Sequence, residues 1–244
     1  MNAIAGKAAV VIGAGDATGG AVAAAFARAG LVAVPVRRNG DALTPLAERI
    51  AAEGGRCVAI GADARDEAAM IALFDRVEAE VGAIDVLVFN IGANSPMPIL
   101  DETVRRYTKI WEMCALAGFI TAREAARRMV PRGRGTIIFT GATASLRGSA
   151  GFAGFSGGKF ALRSLAQAMA RELGPRGIHV AHSIIDGAID TDFIARNFPD
   201  RYALKDTGGI LDPHAIAAEY VRLWQQPRTA WTHELDLRPW LERW

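Results

Sequence analysis

Short, wholly apolar runs alternate along the chain with longer segments whose apolar residues recur every three to four positions. Residues 8–12 (AAVVI) and 32–36 (VAVPV) match strands buried on both faces. A glycine-rich turn follows the first run, and an alanine-rich helix extends from it to about residue 29. Further strands are predicted at 57–60, 84–89 and 136–139, then at 178–184 and, shorter, at 234–237. Helices are predicted over 43–52, 67–81, 103–129, 155–173 and 213–225. Gly54 and Gly55 stop the second helix, and Pro213 opens the last. The stretch 190–211 is less regular. Strands that alternate with helices build βαβ units, hence an α/β fold: a doubly wound, mostly parallel sheet of about seven strands flanked by helices. No linker, repeat or low-complexity stretch divides the sequence, so one domain over 1–244 is expected.

Composition narrows the class. The chain has 244 residues, 51% hydrophobic and 22% charged, with 26 glycines, an ordinary globular balance long enough to bury a core without staples. A net charge of +2 is too mild to argue for a nucleic-acid partner. The two cysteines, Cys57 and Cys114, are far apart and in no metal-ligand spacing, so buried reduced thiols and no metal are expected. The early apolar run is broken by Gly13, Gly15 and Asp16, and no segment reaches membrane-spanning length without a charge or a glycine cluster. The expectation is a soluble cytoplasmic protein with no membrane partner.

The first strand runs into Gly13-Ala14-Gly15-Asp16-Ala17-Thr18-Gly19-Gly20, and a helix starts at once. Small residues let the backbone approach a pyrophosphate whose charge the helix N-terminus favours. The bland alternative is a tight turn with close helix packing. Arg37 and Arg38 follow the second strand, where an acidic residue would bind the ribose of NAD and an arginine instead suits a 2′-phosphate. This favours NADP(H) over NAD(H); two solvated arginines are the alternative.

Five places, in this order and spacing, make the sequence resemble the short-chain dehydrogenase/reductase family over nearly its whole length. The loop from Gly13 to Gly19 occupies the TGxxxGxG site. Asp63, with Ala64 beside it, stands where the family contacts adenine. Asn90-Ile91-Gly92 is similar to NNAG, and Lys159 lies four residues after Phe155 as in YxxxK. Asp186-Gly187-Ala188-Ile189-Asp190-Thr191 is similar to the PG…T segment beside the nicotinamide. The resemblance implies a Rossmann-like fold and a pyridine dinucleotide bound by Gly13, Asp16, Ala17, Thr18, Gly19, Arg37, Arg38, Asp63, Ala64, Asn90, Gly92, Lys159, Gly187, Ile189 and Thr191. It also implies a small-molecule substrate among Ala142, Thr143, Phe155 and Phe193, a lid over 190–211, and a homodimer or tetramer built through the long helices.

The departures fall where the chemistry belongs. The family's tyrosine, which exchanges a proton with substrate, is here Phe155; its serine is Ala142 and its asparagine Ala115, while Lys159 survives. Positioned acid–base catalysis contributes about 10²–10⁴-fold, so the usual route is missing. Thr143, Ser145, Asp186, His182 and the lid tyrosine Tyr202 are candidate replacements, with ordinary packing and hydrogen bonding as the alternatives. In the loop, the family's threonine and middle glycine are Ile12 and Ala17. Asp16 would repel a phosphate unless it caps the helix behind it. Arg123, Arg127, Arg128, Arg132 and Arg134 read as a solvated face, and Trp231, Trp240 and Trp244 as a docked tail. Three functions stay open: an NADP(H)-dependent oxidoreductase acting on a carbonyl, alcohol or enone with another proton donor; an NADP(H)-binding sensor without turnover; and non-redox chemistry on the same scaffold.

Overall fold

The computed structural model describes residues 6–242. Its sheet is built from β1 (Ala8–Ile12), β2 (Val32–Arg37), β3 (Arg56–Cys57), β4 (Ile60–Gly61), β5 (Ile84–Phe89), β6 (Gly135–Thr140), β7 (Ile178–Ile185) and β8 (Glu234–Leu237). The order is β3-β2-β1-β5-β6-β7-β8, with β4 also on β2, and every pairing is parallel. β3 and β4 share one position, so the sheet is seven strands wide, as the alternation predicts. The 57–60 strand is broken into these two pieces for a local reason. They pair in one register with Val32-Ala33 and Val36-Arg37, and the gap falls opposite Val34 and Pro35. Proline has no N–H to give the ladder.

The helices are α1 (Thr18–Arg28), α2 (Thr44–Ala52), α3 (Glu67–Glu80), α4 (Val104–Trp111), α5 (Ala117–Met129), α6 (Ala153–Leu173), α7 (Asp192–Asn197), α8 (Pro199–Tyr202) and α9 (Pro213–Gln225). Two cores lie on opposite faces of the sheet. Ala8, Val10 and Ile12 point into the one with Phe74, Ile120 and Leu162; Ala9 and Val11 point into the other with Phe26, Ile50 and Tyr220. That alternation is the period of two expected of a strand. Burying each large apolar side chain completely stabilises the fold by about 1.5–3 kcal/mol. Polar caps define the starts: Asp66 accepts from the Ala69 N–H, Thr103 from Arg106, Thr191 from Ile194, and Asp212 from His214 just before Pro213.

Four local features differ from the sequence reading. The 103–129 helix is not uniformly α: Glu112–Leu116 forms a π-turn between α4 and α5, carrying Met113, Cys114 and Ala115. The 190–211 stretch holds α7, α8 and a 3₁₀ turn, closed by a bridge between Ile189 and Leu211. The arginines of α5 and the following turn are not a bare solvated face. Arg123 and Arg128 pair with Glu67 and Asp75 of α3, Arg132 with Glu78 at 2.8 Å, and Arg134 with Asp85 at 2.7 Å. Buried Glu124 takes Arg127 at 2.8 Å and Arg128 at 3.1 Å. The two described tail tryptophans dock at different places: Trp231 stacks on His179 with ring centroids 5.0 Å apart, while the Trp240 indole donates to the Thr207 carbonyl. Trp244 lies outside the described residues.

Candidate active site

β1 has β2 on one side and β5 on the other, so the connections leave it in opposite directions and a crevice opens beyond its carboxyl end. The Asn90 amide, at the end of β5, closes the floor by donating to the Gly13 carbonyl at 3.2 Å. Gly13 has φ +87°, and a Cβ at Gly19 would stand 2.5 Å from the Gly13 oxygen and 2.8 Å from Ala14 Cα. Only hydrogen fits there. α1 begins after Ala17 with no side-chain cap, which leaves its first N–H groups facing the crevice end of β1. A crowded glycine loop below an uncapped helix start is the cradle a pyrophosphate requires, and the residues present fit that group.

Two cavities run from this floor. The first, about 620 Å³, is bordered by Gly13, Arg37, Arg38, Asp63, Ala64, Asn90 and Gly92, and also by Asn39, Arg65 and Met113. The second, about 440 Å³, shares Asn90 and Gly92 with it and adds Thr18, Ala142, Thr143, Phe155, Lys159, Gly187 and Ile189. A third, about 550 Å³, continues under the 190–211 segment past Thr191 and Phe193 to Arg201 and Glu242. The three cavities adjoin through shared lining, Asn90 and Gly92 between the first and second, and Gly92, Gly187 and Ile189 between the second and third.

Several predicted residues stand elsewhere or are already engaged. Asp16 does not cap α1: its carboxylate is almost fully exposed and faces Arg37 Nη1 at 3.6 Å. Asp63 is gripped by Arg65 through Nε at 3.0 Å and Nη2 at 2.6 Å, which holds its carboxyl down at about 2. Asp186 is buried, accepts the Thr143 hydroxyl, and faces Arg238 Nη2 at 3.2 Å and Arg147 at 4.0 Å. Neither Asp186 nor Thr143 is therefore a free acid at the cavity. Ser145 accepts the Ala142 N–H at 3.1 Å, the turn role that was its alternative.

His182 is wholly buried against Gly141, with Glu234 3.3 Å from Nδ1, and burial pushes its ring down to about 4. Tyr202 borders none of the three cavities; its hydroxyl sits 3.4 Å from the Lys205 amine. Lys159 is where the motif puts it. Its amine donates to the carbonyls of Thr140 at 2.7 Å and Ile91 at 3.0 Å, and full burial pushes its proton affinity down. Sequence reading missed Arg65, Arg238, the π-turn and Asn94, which borders the second and third cavities. Arg65 was accessible as the charge two residues beyond Asp63; Arg238 lies 52 residues from Asp186 with no local signal.

The family model for short chain dehydrogenases matches residues 7–201. The chain belongs to that family. As a short-chain dehydrogenase it is a member of an oxidoreductase family that uses nicotinamide cofactors, and no described helix is long and apolar enough to cross a membrane. It is 31% identical over 204 residues to a 1-deoxy-11-beta-hydroxypentalenate dehydrogenase of Streptomyces exfoliatus, covering 82% of this chain and 74% of the relative. A short-chain dehydrogenase structure from Rhodopseudomonas palustris superposes with TM-score 0.83 at 45% identity, over 96% of this chain and 99% of the other. A metagenomic short-chain oxidoreductase solved with NADP has TM-score 0.83 at 24% identity, over 98% and 99%, and supports the fold.

Proposed function

We propose that this chain is an NADP(H)-dependent oxidoreductase that exchanges hydride with a small carbonyl, alcohol or enone and does not use a tyrosine as proton donor. The observation that carries the reading is the continuity of the cleft from Arg37 and Arg38 through Asn90 and Gly92 to Lys159. Gly13, Asp16, Ala17, Thr18 and Gly19 form the pyrophosphate turn. Asp63 and Ala64 border the adenine, and Arg38 meets the 2′-phosphate, with Arg37 joining once Asp16 lets go. Asn90, Gly92 and Lys159 serve the nicotinamide ribose, and Gly187, Ile189 and Thr191 the ring. When bound, the nicotinamide supplies or accepts the hydride.

The substrate occupies the space between Ala142, Thr143 and Phe155, under a lid formed by 190–211 with Phe193 on its inner side. Phe155 and Ala142 exclude water there and orient an apolar group, but neither can bond a substrate oxygen. The whole chain, 1–244, then acts as one dinucleotide-binding domain. A second reading, a cofactor-binding sensor without turnover, is favoured by one observation: Thr143, Asp186 and His182 are all engaged or buried away from the substrate space. The non-redox reading relied on Asp186, His182 or Tyr202, and none of them borders the second cavity.

Titration with NADPH and NADH, read by tryptophan fluorescence, tests the proposal. Arg38→Ala is expected to weaken NADPH by about 10-fold to 100-fold, the worth of one charge-assisted phosphate contact, and NADH by less than about threefold. Failure to bind either cofactor at millimolar concentration overturns the reading. Binding without consumption across a carbonyl and enone panel moves the function to the sensor.

A further inference from the structure

Resting on the oxidoreductase reading, we infer that the Glu242 carboxylate is the base that takes the hydroxyl proton of an alcohol substrate. The direction it serves is oxidation of that alcohol by NADP⁺. Among the described residues, Glu242 is the one acidic side chain that borders the second or the third cavity. The stretch after β8 delivers it there. Arg238 meets buried Asp186 at 3.2 Å, and the Trp240 indole donates to the Thr207 carbonyl at 3.0 Å. Held at these two points, the tail crosses Gly187, where a Cβ would stand 2.7 Å from Pro239 Cδ and 3.5 Å from Glu242 Oε2. Gly187 borders both cavities and lies in the segment to which the oxidoreductase reading gives the nicotinamide ring. The carboxylate thus stands where the two cavities meet, beside the place of hydride exchange.

The carboxylate is held without being used up. Arg201 Nη1 is 3.5 Å from Oε2, longer than an ordinary N–H···O hydrogen bond, and Arg238 adds positive charge nearby. Oε1 takes no hydrogen bond among the described residues. The side chain is 17% exposed, so water can carry an accepted proton away.

The other polar groups at these cavities do not take the proton. Lys159 spends its amine on the Thr140 and Ile91 carbonyls and, in this reading, on the nicotinamide ribose. Thr143 donates to Asp186, and Ser156 to the Phe152 carbonyl. The Asn90 and Asn94 amides are not bases. The Thr18 and Ser149 hydroxyls border the second cavity and are free to hold the substrate oxygen. A hydroxyl with no base beside it does not remove a proton, so that step falls to the carboxylate.

In the reaction, the alcohol O–H bond breaks and its proton goes to Glu242 Oε1. The carbon–hydrogen bond breaks towards NADP⁺, which takes both electrons, and the carbon–oxygen π bond forms. The alcohol is oxidised to a carbonyl, NADP⁺ is reduced to NADPH, and water takes the proton from the carboxyl group. An ionised carboxylate only accepts, which is why oxidation is the direction it serves.

Two readouts on the NADP⁺-loaded protein test this. The first is binding of 2,2,2-trifluoro-1-phenylethanol, an alcohol whose fluorines make its carbon a poor hydride donor, read by tryptophan fluorescence. Glu242→Gln is expected to weaken it at least about tenfold, and Arg201→Met, which keeps the carboxylate, less than about threefold. An Arg201→Met loss as large as that of Glu242→Gln would mean that the carboxylate only props the 190–211 segment, and overturns the inference.

The second readout is NADPH formation with 1-phenylethanol as probe. Glu242→Gln is expected to bind NADP⁺ within about threefold of wild type and to form NADPH at least about 100-fold more slowly. Sodium acetate should raise the rate of Glu242→Gly at least about tenfold by standing in for the lost base, with sodium chloride at equal ionic strength as the control. A Glu242→Gln rate within about threefold of wild type overturns the inference, as does a Glu242→Gly rate that acetate leaves unmoved. Both of those outcomes leave the oxidoreductase reading intact. Wild-type protein that binds NADP⁺ and reduces none of it with the probe overturns that reading.

Discussion

Gly19→Ala is expected to abolish measurable NADPH binding, with at least a 100-fold loss of affinity, although it adds only one methyl group. That methyl would lie 2.5 Å from the Gly13 carbonyl oxygen and 2.8 Å from Ala14 Cα, both backbone atoms that cannot rotate away. The strand-to-helix turn must therefore open, and the crevice it frames opens with it. Overpacking of this kind costs about 1–3 kcal/mol of stability. In a chain of this size, thermal unfolding should fall by roughly 2–4 °C for each kcal/mol. Gly15→Ala is the control for the fold: a Cβ there meets nothing within 4 Å, so the melting temperature should stay near wild type. Isothermal titration and a thermal melt on the two variants measure both effects. Equal behaviour of the pair would remove the steric argument for the cradle.

Arg238→Leu is expected to destabilise the protein by about 3–5 kcal/mol, the cost of leaving a buried carboxylate without its partner. Asp186 is 1% exposed, and Arg238 is its near cation at 3.2 Å, with Arg147 further out at 4.0 Å. The contact also joins three stretches of chain. Asp186 holds the Thr143 turn through its hydroxyl, Gly187 packs against Pro239, and the tail continues to Glu242, which lies 3.5 Å from Arg201 beside the third cavity. Losing Arg238 should thus loosen the Thr143 turn and the 190–211 segment together, visible as faster amide exchange in both. Asp186→Asn combined with Arg238→Leu should cost less than the two single changes added, because neither charge is then stranded. Additivity in urea unfolding would show that the pair is not coupled.

Much of the scaffold was legible from pattern. Strands buried on both faces show as near-continuous apolar runs, as β1, β2, β5, β6 and β7 do, whereas β8 at Glu234–Leu237 alternates and is only partly buried. The break in the 57–60 strand was not legible, because it arises from Pro35 on the neighbouring strand rather than from residues 58 and 59 themselves. The π-turn at Glu112–Leu116 was equally silent, since an apolar period of three to four is compatible with both helix types. The cleft residues followed from motif order, and the structure brings Arg38, Asp63, Asn90, Lys159, Phe155 and Thr191 around three adjoining cavities. Charge pairing was the weakest part of the reading. Asp16 turned to Arg37 rather than to its helix, and Asp186 to Arg238, because a carboxylate takes the cation that folding delivers, at whatever sequence distance.

The sequence by itself determined the α/β alternation, the glycine turn, the arginines after the second strand and the loss of hydroxyls at 142 and 155, since each is a property of local composition and spacing. Only the tertiary structure decided which polar groups remain available for chemistry. Crossover connections bring residues more than 60 positions apart within 3 Å of each other, as the Lys159 amine and the Ile91 carbonyl show. Such contacts consume Thr143, Asp186 and His182 and leave Lys159 with one open direction, a result of three-dimensional packing that no local pattern encodes.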